Sequence, residues 1–261
     1  MERLGHVRGA MKSDEAATDC FAQTVEVESL GTRVPVFVAG LRSHQKLPGL
    51  LICPEIWGLT PHIKKLVQRF AAQGYIACAP EIMSRHGGEG LNTSFSERLK
   101  INAVTPEEDM VADVRAALHS LRTLPAVNPA AIATVGFSMG GRLAGVVAAT
   151  TSDIFACIIL YGHITEEQAR PLKRTWVLEL VPRLSCPTLF LYGNADEWNP
   201  SGRIELLRKR LRESSLPFEF VLYQDAGHSF FNDEGKAYHP EAAADAWKRV
   251  LDFLARHKPG P

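Results

Sequence analysis

The sequence predicts an α/β fold in which helices cover both faces of a mostly parallel sheet. Short apolar runs rich in β-branched residues alternate with segments of helical apolar spacing along most of the chain, and this alternation is typical of parallel sheets. Residues 49–53 and 132–137 are continuous apolar runs, as expected of strands that are covered on both faces. Polar residues follow several of these runs, at the strand ends where such sheets bind their ligands.

The elements follow in order from a polar first segment. Residues 1–20 are polar and aperiodic, and we expect a single domain over residues 21–261. Strand-like residues at 24–28 and 33–39 flank a turn at Leu30, Gly31 and Thr32, and they predict an antiparallel hairpin at one edge of the sheet. Further strands are predicted at residues 49–53, 75–79, 132–137, 154–160, 187–192 and 218–223.

Helices are predicted between these strands from apolar spacing and from capping residues. They begin near Thr60, Thr105, Gly140, Ile204 and Pro240. Thr105 and Glu108 are expected to form a capping box at the start of the second of these helices. Residues 82–104 and 162–185 lack a clear period, and both segments are candidates for a lid over the site.

The composition favours a small-molecule partner. Lys and Arg together number 29, as do Asp and Glu, so the formal net charge is +0 and no global field attracts nucleic acid or an anionic membrane. The sequence has neither the apolar stretch of a signal peptide nor one long enough to span a bilayer. We therefore expect a cytoplasmic protein without a nucleic-acid or membrane partner. The sequence does not distinguish a monomer from a dimer.

The cysteines are expected to be reduced core residues. Four of the five lie in or beside apolar strand-like runs, at Cys53, Cys78, Cys157 and Cys186, which is typical of buried thiols rather than of a disulfide framework. The chain has no CxxC pair, and no histidine lies at metal-binding spacing from a cysteine. The sequence predicts neither a metal nor a cofactor.

Residues 131–149 join a predicted strand to a predicted helix through a tight turn that contains Ser138. Gly136 and Gly140 lie two residues before and after the serine, which gives the pattern G-x-S-x-G. A serine in a strained strand-to-helix turn needs such small neighbours. The pattern alone is common by chance, but its place between a strand and a helix predicts that Ser138 is a nucleophile. The alternative is a glycine-rich connection between two core elements.

Asp196 and His228 also follow predicted strands, so a parallel sheet would bring both to the same edge as Ser138. A serine hydroxyl needs a base to remove its proton, and an imidazole does this best when a carboxylate fixes its tautomer. The chain order Ser, Asp, His is that of α/β-hydrolases. The sequence predicts a triad; the alternatives are a turn-capping role for Asp196 and a packed loop histidine at His228.

The motifs resemble those of the dienelactone hydrolase family of α/β-hydrolases (carboxymethylenebutenolidases) from about residue 24 to residue 256. They are PEIWGL at 54–59, APEIMSRHG at 79–87, GFSMGGRLA at 136–144, GNAD at 193–196, AGHSFFND at 226–233 and YHPEAAADAW at 238–247. The resemblance implies that Ser138, Asp196 and His228 form the catalytic triad. It also implies that the backbone N–H groups of Ile56 and Met139 form the oxyanion hole, which agrees with donors on either side of one carbonyl oxygen.

The chain departs from the family at the nucleophile, where the family usually has cysteine and this chain has Ser138. A thiol can ionise before attack, whereas a serine hydroxyl loses its proton during attack, so more of the activation is expected from His228. Glu55 matches a carboxylate that helps to generate the thiolate in the family. Its alternative role is a structural ion pair with Arg142 or Arg85.

A second departure concerns the charge of the substrate. Family members that take dienelactone hold its carboxylate with two arginines; one matches Arg85, and the other matches Asn232 in this chain. Charge-assisted pairs are stronger than neutral hydrogen bonds. The missing arginine therefore predicts that neutral esters are preferred over carboxylated lactones.

Together these observations predict a serine hydrolase that cleaves carboxylic esters or lactones through an acyl-enzyme. Two alternatives stay open: the same triad acting on a thioester, amide or phosphotriester, and a non-enzymatic small-molecule receptor on the same scaffold. Substrate contacts are expected from Glu55, Trp57, Arg85, His86, Tyr161, Trp198 and Phe230.

Overall fold

Eight strands form a single sheet in the part of the chain that the structure describes. The structure is a computed structural model, and it describes residues 20–88, 93–165 and 172–260. In chain order the strands are β1 (Cys20–Ser29), β2 (Thr32–Leu41), β3 (Leu47–Cys53), β4 (Ile76–Pro80), β5 (Val127–Phe137), β6 (Ile154–Leu160), β7 (Thr188–Gly193) and β8 (Phe218–Tyr223). Their order across the sheet is β1-β2-β4-β3-β5-β6-β7-β8.

The first two strands form the predicted hairpin at one edge of this sheet. β1 pairs antiparallel with β2, and β2 pairs antiparallel with β4, whereas the later pairs are all parallel. Leu30 and Gly31 connect β1 to β2 with φ values of 47° and 76°. A two-residue turn with both φ values positive matches the twist of the strands that it joins. The predicted fold class is confirmed.

The helices are α1 (Pro61–Ala72), α2 (Phe95–Val104), α3 (Glu107–Thr123), α4 (Met139–Thr150), α5 (Val177–Leu180), α6 (Ser201–Arg212) and α7 (Pro240–His257). α1 begins as its sequence predicts, because the Thr60 side chain accepts a hydrogen bond from the Ile63 N–H and proline occupies the first turn. α7 also begins at a proline, and the His239 side chain accepts from the Ala242 N–H.

Two apolar layers cover the sheet, one on each face. α1 and α7 pack on one face, where Phe70 and Leu254 are buried. α3, α4, α5 and α6 contribute to the cluster on the other face, which includes Val114 and Val147. Neighbouring residues of β5 alternate between the two clusters, with Ile132 in one and Ala133 in the other, as expected of a strand buried on both sides.

Two local expectations are wrong. Part of the segment expected to lack a period forms α2, which begins with a capping box between Ser94 and Glu97. The capping box expected at Thr105 and Glu108 is absent, because α3 begins at Glu107 without a side-chain cap. The Thr105 hydroxyl instead donates to the Ile101 carbonyl at 2.8 Å, so it ends α2 rather than beginning α3. Apart from Cys20, the predicted polar leader lies outside the described residues.

Candidate active site

The sharp turn between β5 and α4 places Ser138 at the carboxyl edge of the sheet. Its backbone has φ 53° and ψ −118°, a conformation that costs a non-glycine residue on the order of 1–3 kcal/mol. The Ser138 N–H donates to the Leu160 carbonyl at 3.0 Å. This bond ties the strained turn to the end of β6 and holds the serine in one place.

Gly136 and Gly140 are required because backbone passes close to both positions. A Cβ on Gly136 would lie 2.1 Å from the Gly140 carbonyl oxygen, and a Cβ on Gly140 would lie 2.1 Å from the Cys53 carbonyl oxygen. Such a contact with backbone cannot be relieved by moving a flexible side chain. The two glycines of the G-x-S-x-G pattern are therefore needed because the turn packs tightly against itself and against the end of β3, which leaves no room for a side chain.

A similar close approach brings Asp196 and His228 together. Asp196 lies in the turn after β7, and His228 lies in the turn after β8. The Ala195 N–H donates to the Ala226 carbonyl at 3.0 Å, and a Cβ on Gly193 would lie 2.0 Å from that same oxygen. The two turns therefore pack directly on one another, which places the carboxylate beside the imidazole.

Ser138, His228 and Asp196 form a continuous chain of hydrogen bonds. Ser138 Oγ lies 2.7 Å from His228 Nε2. His228 Nδ1 lies 3.1 and 3.0 Å from the two carboxylate oxygens of Asp196. A carboxylate at Nδ1 orients the ring so that Nε2 can accept the hydroxyl proton, which is the geometry that activates a serine.

The surroundings of Asp196 favour its ionised form, although the residue is only 2% exposed. Burial acts to raise the pKa of its carboxyl, but His228, the Asn199 side chain and the Trp198 N–H together outweigh burial and lower that pKa. The Trp198 N–H and Asn199 Nδ2 each donate to the carboxylate at 2.9 Å. The residues that follow Asp196 in the chain thus stabilise the charge that faces His228.

Glu55 follows β3 and is surrounded by neutral donors. Its Oε1 accepts from the Tyr161 hydroxyl at 3.1 Å and from Ser229 Oγ at 2.9 Å, and its Oε2 accepts from Asn232 Nδ2 at 3.2 Å. Burial, and then the nearby Glu55 carboxylate, raise the pKa of Tyr161 well above its ordinary value, so the phenol remains a donor. Glu55 therefore ties the end of β3 to the turn that contains His228.

The alternative role of Glu55, an ion pair with Arg142 or Arg85, is not found among the described residues. Arg142 pairs with Glu107, and Arg85 pairs with Asp113. Arg85 is bound on two sides, because it donates to both carboxylate oxygens of Asp113 at 3.1 and 2.6 Å and to the Thr32 hydroxyl at 2.9 Å. Its guanidinium links the hairpin to α3.

The loop after β3 carries Ile56, and α4 begins with Met139. Both residues line the same cavity as Ser138. The first N–H groups of a helix have no partner within the helix, and Met139 is the first residue of α4. Glu81 holds the far side of the loop, since its carboxylate accepts from the Leu59 N–H at 3.0 Å and from the Met83 N–H at 2.9 Å.

A cavity of about 100 Å³ lies over Ser138 and His228. One side, here called the sheet-end wall, is formed by residues that follow strands or begin α4: Glu55, Ile56, Trp57, Ser138, Met139, Trp198, His228 and Ser229. The other side, here called the outer wall, consists of Phe95, Leu99, Asn102, Arg142, His163, Arg174 and Trp176. The two walls meet where the Phe95 ring lies 5.7 Å from Trp57 and 6.3 Å from Trp198.

Four of the residues expected to contact substrate do not line this cavity. Arg85 is held by Asp113, and His86 Nε2 lies 2.8 Å from the Thr105 hydroxyl. Tyr161 and Phe230 are fully buried beneath the site, where the Tyr161 ring lies 5.2 Å from His228 and 5.3 Å from Phe230. Packing, an ion pair or a hydrogen bond occupies each of these four side chains in the structure.

Sequence reasoning named no outer-wall residue as a substrate contact, although all of them except Arg142 lie in the two segments, 82–104 and 162–185, that are candidates for a lid. Phe95, Leu99 and Asn102 recur at helical spacing, and Ser94 with Glu97 forms a capping box; together these signals could have found α2. Arg142 and Arg174 have no comparable signal, since their neighbours come from distant parts of the chain. Arg174 donates to the carbonyls of Asn102 and Thr105.

No group of three or more His, Cys, Asp or Glu side chains in the described residues has an arrangement that could hold a metal ion. No helix within residues 20–88, 93–165 and 172–260 is long and apolar enough to cross a membrane.

Comparison with known proteins places the chain among hydrolases. A protein of Yersinia pestis, named as a candidate carboxymethylenebutenolidase, is 31% identical over 88% of this chain and 86% of its own length. The crystal structure of a candidate dienelactone hydrolase from Klebsiella pneumoniae has a TM-score of 0.84 and 28% identity, and the match covers 91% of this chain and 99% of that one. A dienelactone hydrolase-like promiscuous phosphotriesterase from metagenomic libraries has a TM-score of 0.76 at 20% identity, covering 92% and 100% of the two chains.

The parallel sheet with its antiparallel edge is the fold of the α/β-hydrolases, the class to which this chain belongs. Residues 34–258 match the model of the dienelactone hydrolase family. The chain belongs to that family, and the resemblance inferred from its motifs is confirmed.

Proposed function

We propose that this protein is a serine hydrolase that cleaves carboxylic esters or lactones through an acyl-enzyme. The observation that carries the proposal is the 2.7 Å contact between Ser138 Oγ and His228 Nε2, with Asp196 3.0 Å from the other ring nitrogen. Membership of the dienelactone hydrolase family supports hydrolysis. The choice of serine as nucleophile and of ester or lactone as substrate is our proposal.

Acylation begins when Ser138 Oγ attacks the carbonyl carbon of the substrate. His228 Nε2 takes the hydroxyl proton as the new C–O bond forms, and Asp196 stabilises the imidazolium that results. His228 then gives this proton to the leaving alkoxide as the old C–O bond breaks. In a lactone the leaving group stays attached to the acyl chain, so the same step opens the ring.

The N–H groups of Ile56 and Met139 are proposed to donate hydrogen bonds to the carbonyl oxygen of the substrate and so to stabilise the negative charge that develops on it. Both residues line the cavity beside Ser138. One such donor contributes roughly 2.7–4 kcal/mol to the transition state. Glu81 and Gly58 support this role, because the Glu81 carboxylate fills the space that a side chain at Gly58 would need and so restricts the loop.

Deacylation reverses these roles with water as the nucleophile. His228 Nε2 removes a proton from the water, which attacks the acyl carbon, and the proton returns to Ser138 Oγ as the acid leaves. Microscopic reversibility requires the same oxyanion donors in this half of the reaction.

The cavity favours small, neutral acyl groups. Its volume is about 100 Å³, which is well below the roughly 300 Å³ at which drug-sized pockets begin. Aromatic rings form much of its lining, and Glu55 places a carboxyl group at one side. Arg85 lies outside the cavity, and Arg142 is paired with Glu107. Arg174 lines the cavity but donates to the carbonyls of Asn102 and Thr105, so none of the three is set to clamp a substrate carboxylate.

The test is a panel of substrates of matched size. Release of p-nitrophenol from the acetate should exceed hydrolysis of dienelactone in kcat/KM, and p-nitrophenyl thioacetate and a phosphotriester should be slower still. Mass spectrometry after acid quench should find the acyl group on Ser138. If the phosphotriester or thioester is the best substrate, the triad serves another leaving group; if nothing turns over, the receptor alternative gains support.

A further inference from the structure

α2 presents two different faces to the site. Phe95, Leu99 and Asn102 line the cavity and would face a substrate. Arg98, on the same helix, turns instead toward the loop after β3 and is only 6% exposed. One helix therefore contacts both the space for the substrate and the loop that carries a proposed oxyanion donor.

Arg98 binds that loop through two carbonyl groups and one ring. Its Nη1 donates to the Ile56 carbonyl at 3.3 Å and to the Trp57 carbonyl at 3.4 Å. The guanidinium carbon lies 5.1 Å from the centre of the Trp57 ring, within the range of a cation–π contact. These bonds are long for N–H···O contacts, but a guanidinium donor is charged, and charge strengthens each of them.

The position of these bonds matters because the loop is otherwise held near its two ends, at Glu55 by side-chain donors and at Leu59 by Glu81. Glu81 accepts from the Leu59 N–H, and the Gly58 N–H donates to the Glu55 carbonyl at 3.0 Å. The carbonyls of Ile56 and Trp57, next to the proposed donor, are the ones that Arg98 binds. A rotation of this segment would move the Ile56 N–H away from the carbonyl oxygen of the substrate.

We propose that Arg98 is a positioning residue that couples α2 to the oxyanion hole. A substrate that packs against α2 restricts the motion of the helix. Through its bonds to the carbonyls, Arg98 then restricts the peptide groups of Ile56 and Trp57 as well. The inference rests on the proposed function and adds a residue that acts through the loop without touching the reacting atoms. Its signature is a loss of transition-state stabilisation with little loss of substrate binding.

Arg98→Met and Arg98→Lys test this role. Methionine keeps an unbranched chain against Trp57 but removes the donors, whereas lysine keeps the charge and one donor group. Removing an oxyanion donor outright costs roughly 100-fold to 1,000-fold in kcat. Because Arg98→Met misplaces a donor without removing it, we expect kcat for p-nitrophenyl acetate to fall roughly 10-fold to 100-fold with KM within about 2-fold. Arg98→Lys should recover part of the loss.

A second readout separates an effect on the oxyanion hole from general damage to α2. N–H donors stabilise a developing oxyanion better than a developing thiolate anion, so the wild type should strongly prefer an ester to its thionoester. Arg98→Met should reduce this preference by about the factor lost in kcat. Leu99→Ala is the matched control on the same helix; it should alter KM or acyl preference and leave the ester-to-thionoester ratio unchanged.

The outcomes distinguish this inference from the proposed function. A wild type without hydrolase activity would overturn both. A wild-type enzyme that is active, together with an Arg98→Met variant that keeps kcat and the ester-to-thionoester ratio, would overturn the inference alone. So would equal changes of that ratio in Arg98→Met and Leu99→Ala. If Arg98→Met does not fold, as judged by circular dichroism and its melting temperature, the ester-to-thionoester ratio of Arg98→Lys is compared with that of the wild type instead.

Discussion

The two walls of the cavity are held in place by different parts of the chain. In the sheet-end wall, backbone bonds between neighbouring strand ends dominate: the Ser138 N–H bonds to Leu160, and the Tyr161 N–H bonds to Leu191. In the outer wall, arginine side chains make the corresponding links. Backbone bonds and close-packed glycines leave little freedom, whereas a long side chain has several rotamers. The proposed chemistry therefore lies on the more constrained wall.

The two arginines of the outer wall, and Arg98 beside them on α2, connect elements that share no sheet bond. Arg98 binds the loop after β3, Arg142 pairs with Glu107 of α3, and Arg174 binds the carbonyls of Asn102 and Thr105 at the end of α2. Glu107 also accepts from the Thr175 N–H at 3.0 Å. Changes in the sheet-end wall, and in Arg98 that binds its loop, should thus affect the chemical steps, and changes in the outer wall should affect stability and substrate choice.

Ser138→Ala should have the largest effect. Removing the proposed nucleophile should lower kcat for p-nitrophenyl acetate by more than about 1,000-fold, because the acyl-enzyme cannot form. Stopped-flow and steady-state assays measure the loss, and circular dichroism shows whether the fold is kept. A folded variant that retains more than about a tenth of wild-type kcat would exclude the proposed mechanism.

The next largest effect tests whether Asp196 and His228 act as one unit. Asp196→Asn and His228→Ala should each lower kcat by orders of magnitude, roughly 100-fold or more. The double variant should be little worse than His228→Ala, since Asp196 acts through the ring that this change removes. Independent, multiplicative losses in this double-mutant cycle would argue against the triad.

The sequence predicted the sheet-end wall better than the outer wall for a physical reason. Ser138, Asp196 and His228 each follow a strand, and parallel strands end at one edge, so local patterns suffice to bring them together. Arg85 was misjudged because its partner Asp113 lies 28 residues away. Short-range patterns do not reveal such a pairing.

Glu55 shows the same limit within the sheet-end wall. Its place after β3 was predictable, but its donors Tyr161, Ser229 and Asn232 come from two other strand ends. The turns that carry them adopt positive φ values of 39° at Tyr161 and 63° at Ser229. No feature of the sequence predicts this, since neither residue is one that favours a left-handed backbone.

The ion pair between Glu107 and Arg142 should contribute to the free energy of unfolding of the protein. Glu107→Gln removes the charge of the carboxylate that pairs with the Arg142 guanidinium, whose side chain is 3% exposed. Breaking a buried ion pair in this way should cost about 3 kcal/mol of unfolding free energy, or roughly 10 °C in melting temperature. Calorimetry measures the shift. Glu108→Gln, at an exposed neighbouring position, is the control, and equal melting temperatures of the two variants would contradict the prediction.

The smallest expected effect is on the choice of acyl group. Leu99 lies on α2 and lines the cavity, so Leu99→Ala removes apolar volume from the outer wall without touching Ser138, His228 or Asp196. One methylene in an apolar pocket changes kcat/KM by roughly 10-fold or more. Because α2 can relax into part of the space, we expect the ratio of kcat/KM for the p-nitrophenyl butyrate and acetate esters to rise roughly 5-fold.

The control for this last change is Leu206→Ala, the same substitution at a residue of α6 that is 46% exposed. It should leave the butyrate-to-acetate ratio at its wild-type value. A rise in the ratio with both variants would mean that stability, not cavity shape, sets it. No rise with Leu99→Ala would mean that the acyl chain lies elsewhere, against the sheet-end wall, and that the outer wall contacts the leaving group instead.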